Sequence, residues 1–253
     1  MTDRDNVSRE TSIEHGGDDR APGVSDAPNA DNAQGVDNDP RASEAPATPP
    51  EAATVFGDRL PLAVAYHESL RSDATVRGLI GPREAPRLWE RHILNCAVIG
   101  ELMDRDSRVV DIGSGAGLPG IPLAIARPDL DITLIEPQLR RVNYLKEIVG
   151  KLELDNVTVV RGRAEEKTIK RQNRGADYVT SRAVAPLGKL MGWSLPLTRQ
   201  HGLVLAMKGA SAHEEIERDQ RAISSAGGGK CSVVEAGAGV LPEATIVVRC
   251  ERR

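Results

Sequence analysis

The chain contains no run of apolar residues approaching the ~20 needed to cross a bilayer. Its opening, MTDRDN, is acidic and leads into no apolar stretch, which speaks against a secretion signal or a membrane anchor. A soluble, cytoplasmic protein is expected. Cysteine is scarce: Cys96, Cys231 and Cys250 lie far apart in sequence, with no C-x-x-C pair. That pattern argues against a disulfide framework or a zinc site and for a reducing compartment. The five histidines show no metal-ligand spacing, so no metal is expected. No segment repeats.

The first 53 residues lack Leu, Phe, Tyr and Trp altogether, hold six of the sixteen prolines, and carry 12 Asp/Glu against 4 Lys/Arg. Such a segment cannot bury enough apolar surface to offset its ordering entropy, so residues 1–53 are expected to form a disordered acidic tail. The tail's net charge of −8 leaves residues 54–253 with +4, although the whole chain is at −4. A mildly basic body is compatible with a nucleic-acid partner without requiring one.

What the chain does have is VVDIGSGAGLPG at residues 109–120. Val109 and Val110 mark a short buried strand over 108–112, and glycines follow at 113, 115 and 117 before Pro119 and Gly120. A strand, a glycine turn and a helix start form a place where backbone can touch a ligand. Gly115-x-Gly117-x-x-Gly120 fits the dinucleotide fingerprint, but Asp111, just before the first glycine, would repel a pyrophosphate. It would attract the sulfonium and amino group of S-adenosylmethionine (SAM). The plainer alternative is a structural turn in which Asp111 caps the helix.

Upstream, residues 54–103 read as a helical segment with a break over 78–86, around which Arg83, Arg87, Arg91 and His92 cluster as a candidate substrate-facing patch. Downstream, strands are expected at 132–135, 157–160, 178–181, 203–207, 232–235 and 245–250, with a helix that starts at Pro137 and carries its apolar residues to 149, and another over 212–225. Strands alternating with helices predict an α/β fold with a doubly wound, mostly parallel sheet over 104–253, its ligands at the carboxyl ends of the strands. Asp111, Glu136, Glu165 and Arg182 all fall at or just past such ends, and Glu136 lies where a carboxylate can bond ribose hydroxyls.

VVDIGSGAGLPGIPLAIARP, together with TLIEPQLRRVNYLKE, RGRAEE, TSRAVAPL, AMKG and the upstream RLWERHILNC, resembles the bacterial RsmG (GidB) family over about residues 56–253. Members of that family methylate N7 of a guanine in the 530 loop of 16S ribosomal RNA, using SAM. The resemblance implies a class I, Rossmann-like methyltransferase whose SAM pocket is lined by Gly113 and Leu118, with Ala164 and Glu165 beside the adenine and Arg182 at the pocket mouth. Asp111, Gly115, Gly117 and Glu136 complete the expected cofactor set. The long acidic tail and an extended loop over 167–175 depart from the family's pattern.

The residues agree with that target. After the fourth strand the chain reads Ser181-Arg182-Ala183-Val184, not the Asn/Asp-Pro-Pro-aromatic motif of exocyclic-amine methylases, and no cysteine is expected near that strand end to supply the thiolate of a cytosine C5 methylase. Guanine N7 has a free lone pair, so catalysis can be positional, with N7 held in line at roughly 3 Å. Arg182 and Lys208 are the catalytic candidates, and Lys208 joins Arg83, Arg87, Arg91 and His92 as RNA contacts. The expected partner is 16S ribosomal RNA in the small subunit, met by a monomer. A SAM-dependent methyltransferase acting on a small molecule is the alternative, with a non-catalytic nucleotide-binding module third and an NAD oxidoreductase last.

Overall fold

The computed structural model describes residues 47–253. Most of the expected tail therefore lies outside the described residues, but its last four residues contradict the boundary set at 53. Pro50–Phe56 is a helix (α1) that buries Ala52 and Phe56. Proline in the first turn costs that helix no hydrogen bond, and Phe56, the chain's only phenylalanine, anchors it. A second helix, Leu60–Ser69 (α2), runs on through a widened turn over Leu70–Ala74. The expected break follows, with Gly78 at φ +63° and a tight turn over Pro82–Arg87. Residues 88–102 then form a third helical run (α3), wide over Leu88–Leu94 and tight over Val98–Leu102.

Seven strands make one sheet: β1 (Arg108–Ile112), β2 (Asp131–Glu136), β3 (Val157–Arg161), β4 (Ala176–Arg182), β5 (Thr198–Met207), β6 (Gly228–Ala236) and β7 (Thr245–Arg252). Their order is β3-β2-β1-β4-β5-β7-β6. The first five run parallel, and β7 is antiparallel to both β5 and β6. Val109, Val110 and Ile112 of β1 are buried on both faces of the sheet, as a central parallel strand requires. One face packs against the N-terminal helices, α4 (Gly120–Ala126) and α5 (Leu139–Lys151). The other packs against α6 (Lys167–Asn173), α7 (Leu187–Ser194) and α8 (Ala212–Ser225). The strand order reverses between β1 and β4, which opens a crevice at their carboxyl ends.

Two expectations fail here. Residues 167–173 are the helix α6, not part of a loop. KTIKRQN shows almost no apolar period, and a single side chain decides the matter: Ile169 is buried so tightly over Gly162 that a Cβ there would lie 2.4 Å from its Cδ1. The cysteines fail for a topological reason. The β6–β7 register sets Cys231 opposite Cys250, Cα atoms 4.2 Å apart and sulfurs in disulfide contact. Nineteen residues of separation become one rung of the ladder, so their spacing carries no inference about compartment.

Candidate active site

The glycines after β1 do two different jobs. Gly113, Gly115 and Gly117 take φ of +69°, +62° and +103°, which side chains disfavour. A Cβ on Gly117 would sit 2.5 Å from Ile121 Cγ1, and one on Gly120 2.2 Å from Leu134 Cδ2, so these two let α4 close onto the sheet. Gly115 differs. A Cβ there would meet nothing nearer than the Gly113 carbonyl oxygen at 3.8 Å, so its backbone faces open space. From α2, the buried Tyr66 donates its hydroxyl to the Ala116 carbonyl at 2.9 Å and fixes the turn from behind. Sequence reasoning missed Tyr66, because nothing local marks a tyrosine 50 residues upstream as part of this loop.

Asp111 is fully buried under the turn. Its Oδ2 accepts the Gly120 N–H at 3.3 Å, while Oδ1 has no partner among the described residues. Burial lifts its pKa from 3.8 to about 7, and the nearby Glu136 adds to the rise. Asp111 thus caps α4 and keeps one oxygen unused, which joins both readings of it. Glu136, equally buried, accepts the Gly115 and Gln138 N–H groups, each at 2.9 Å. A carboxylate offers about four acceptor sites, so about two remain.

Beside the turn lies a cavity of about 130 Å³, lined by Gly113, Ala164, Glu165 and the apolar Ile112, Val184 and Trp193 among others. The expected adenine-side residues and Gly113 therefore do converge. Leu118 does not join them, because it packs against the core on the face covered by the N-terminal helices, α4 and α5, and lies outside that lining. Gly117 likewise serves packing rather than the cavity.

The end of β4 holds the largest departures. Arg182 contacts neither Asp111 nor Asp177. Its Nη2 reaches His92 Nδ1, and its Nη1 points at Cys96 Sγ, 3.6 Å away. A cysteine does stand at this strand end in space, although none does in sequence. Burial pushes the Cys96 thiol up to about 11, so it is no thiolate nucleophile. His92 is buried between Arg182 and Glu84, whose Oε2 lies 2.6 Å from His92 Nε2, so it does not belong to a surface patch. Arg83, Arg87 and Arg91 are exposed as expected. Arg87 and Arg91 line a second cavity of about 640 Å³ with Leu94, Asn95 and Pro242, which shares no residue with the smaller one.

Lys208 departs further. Its ammonium donates to the Ala185 carbonyl at 3.0 Å and to Glu215 Oε2 at 2.8 Å, with both side chains largely buried. Glu215 also accepts the Leu187 N–H at 3.0 Å. The pair clamps the loop after β4, where Ala183 takes φ +53° and Val184 is laid over Gly113. Two of Lys208's three donors are spent within the protein, so its placement is that of a brace and not of an RNA contact.

A sheet in this order with a glycine turn after β1, an acid ending β2 and a bare cavity at the carboxyl ends of β1, β2 and β3 defines a class I SAM-dependent methyltransferase. The chain belongs to the GidB family, rRNA small subunit methyltransferase G, whose family model matches residues 59–244. It is 60% identical over 213 residues to ribosomal RNA small subunit methyltransferase G of Corynebacterium efficiens, covering 84% of this chain and 92% of that one. With the protein of the same name from Rhodococcus jostii it shares 63% identity over 198 residues, 78% of this chain and 87% of that one. The residues present fit the cofactor. Open space over Gly115 and unused acceptor capacity on a buried Glu136 suit a ribose, an orphaned Asp111 oxygen suits a cation, and an apolar cavity beside Gly113 suits a planar base. Among the described residues, no helix is long and apolar enough to cross a membrane, and no side-chain cluster has the make-up of a metal site.

Proposed function

We propose that this chain transfers the methyl group of SAM to N7 of a guanine in 16S ribosomal RNA, acting on the small subunit as a cytoplasmic monomer. The observation that carries the reading is the extent of the family match, which runs through α2 and α3 as well as strands β1 to β6. When bound, SAM supplies an electrophilic methyl group. The Gly113–Gly115 backbone and Glu136 hold the ribose side, Ala164 and Glu165 flank the base, and Asp111 faces the cationic end. Arg182 places the guanine or its phosphate at the crevice, and the exposed Arg83, Arg87 and Arg91 hold the surrounding RNA backbone. The target base must leave its stack to reach the crevice, which a loop permits.

The polar groups at hand suit a nucleophile that already owns its lone pair. His92 has both ring nitrogens engaged, and the Cys96 thiol is held protonated by burial, so neither serves as a base or a covalent nucleophile. Positioning is what remains. Among the described residues the exposed large apolar side chains are only Val64, Val76 and Leu139, which supports a monomer. Incubating labelled SAM and the purified chain with small subunits from cells lacking the gene, then mapping the methylated nucleotide, tests the proposal. Label on a small molecule, on another nucleotide or nowhere would overturn it.

A further inference from the structure

We infer that His92 is a positioning residue for methyl transfer, and that Glu84 sets its ring so that one nitrogen holds the Arg182 guanidinium at the crevice. This rests on the reading of Arg182 as the group that places the RNA. A guanidinium only donates, so the His92 Nδ1 that Arg182 Nη2 contacts must be an acceptor. The ring proton then sits on Nε2 and is donated to Glu84 Oε2 at 2.6 Å. Glu84 therefore fixes the tautomer, His92 fixes the guanidinium, and the remaining Arg182 contact is the weak acceptor Cys96 Sγ at 3.6 Å. The chain of contacts ties the turn over Pro82–Arg87 and helix α3 to the end of β4, across 90 residues of sequence.

Adding a proton to His92 would put an N–H against the guanidinium and release it. The charged groups facing His92 are Arg182 from β4, Glu84 from the preceding turn and Arg91 on its own helix. Cys96 and Tyr66, close by, stay neutral because burial raises both. Burial and then Arg182 push the His92 pKa below its ordinary 6.5, while Glu84 works against them. Arg182 is thus held at neutral pH and freed in acid.

The test compares the wild type with His92→Ala, His92→Gln, Glu84→Gln and Arg182→Ala. Single-turnover methyl transfer to unmodified small subunits is measured between about pH 5.5 and 8.5, beside SAM affinity by titration calorimetry. His92→Ala should slow transfer by tenfold or more at neutral pH, in the range of a misplaced reacting group, with SAM affinity within about twofold of wild type. His92→Gln offers an amide oxygen that does not titrate, so it should recover most of that loss and abolish the acidic fall in rate. Glu84→Gln, at a partly exposed position that leaves the core intact, should move the acidic fall to lower pH, because it removes the charge that favours imidazolium. Wild-type rates for His92→Ala beside a slow Arg182→Ala would overturn the positioning role and leave the proposed function standing. Wild-type rates for Arg182→Ala would overturn both the positioning role and the assignment of Arg182. An unshifted acidic fall in both His92→Gln and Glu84→Gln would also overturn the positioning role.

Discussion

Folding removes the Asp111 carboxyl from water completely and returns one hydrogen bond, from the Gly120 N–H at 3.3 Å. Below its ordinary pKa of 3.8 the native and unfolded chains both hold the proton, and the group costs the fold nothing. Between there and the native value of about 7 the unfolded chain releases its proton while the native chain keeps it, so stability falls as pH rises. Above about 7 both are ionised and the loss is complete. Roughly three pKa units at ~1.4 kcal/mol each set a ceiling of about 4 kcal/mol. Asp111→Asn keeps an acceptor for Gly120 and cannot ionise, at a pH-independent cost of about 1–3 kcal/mol for a buried, unpartnered amide. Urea unfolding of both proteins from about pH 5 to 8.5 should therefore show the variant gaining on the wild type by about 2 kcal/mol or more across that interval. A difference that stays constant with pH would refute the reasoning. The same assay with SAM carries a second sign. A cation near the carboxylate favours its ionised form, so wild-type SAM affinity should climb toward pH 7 while that of Asp111→Asn stays level.

Gly115→Val should abolish SAM binding in calorimetry while the protein stays folded, at a stability cost of about 1–2 kcal/mol for the left-handed φ, because its Cβ meets no neighbour. Gly120→Ala should instead lower the denaturation midpoint sharply, since its Cβ lands on Leu134 and Asp111. Lys208→Ala should destabilise by about 1–3 kcal/mol by stranding the largely buried Glu215, and should leave the salt dependence of RNA binding unchanged; a flattened log–log slope would restore Lys208 as a phosphate contact. Tyr66→Phe removes the brace on the Ala116 carbonyl and should cost about 1 kcal/mol in stability with a several-fold weaker grip on SAM. Deleting residues 1–46 should leave turnover on small subunits unchanged, whereas a cut at 56 should destabilise the fold by removing Ala52 and Phe56 from the core.

Features that repeat or turn on a short scale are legible in the residues alone. β1 at 108–112, the glycine turn, α8 at 212–225 and the apolar stripe of α5 follow from β-branched runs, missing side chains and a 3.6-residue period, each sensed within a few neighbours. The acids at strand ends were legible for the same reason, since a parallel sheet delivers every strand end to one edge. Tertiary structure alone decided who meets whom. That Ile169 would win a helix from a polar segment, that Cys231 would face Cys250, that Lys208 would be claimed by Glu215, and that His92 and Arg182 would join across 90 residues are all outcomes of packing. A side chain's local sequence states its chemistry but not its partner. A buried charge takes whichever opposite group the fold brings within hydrogen-bonding distance, because leaving it unpaired costs more than any exposed contact returns.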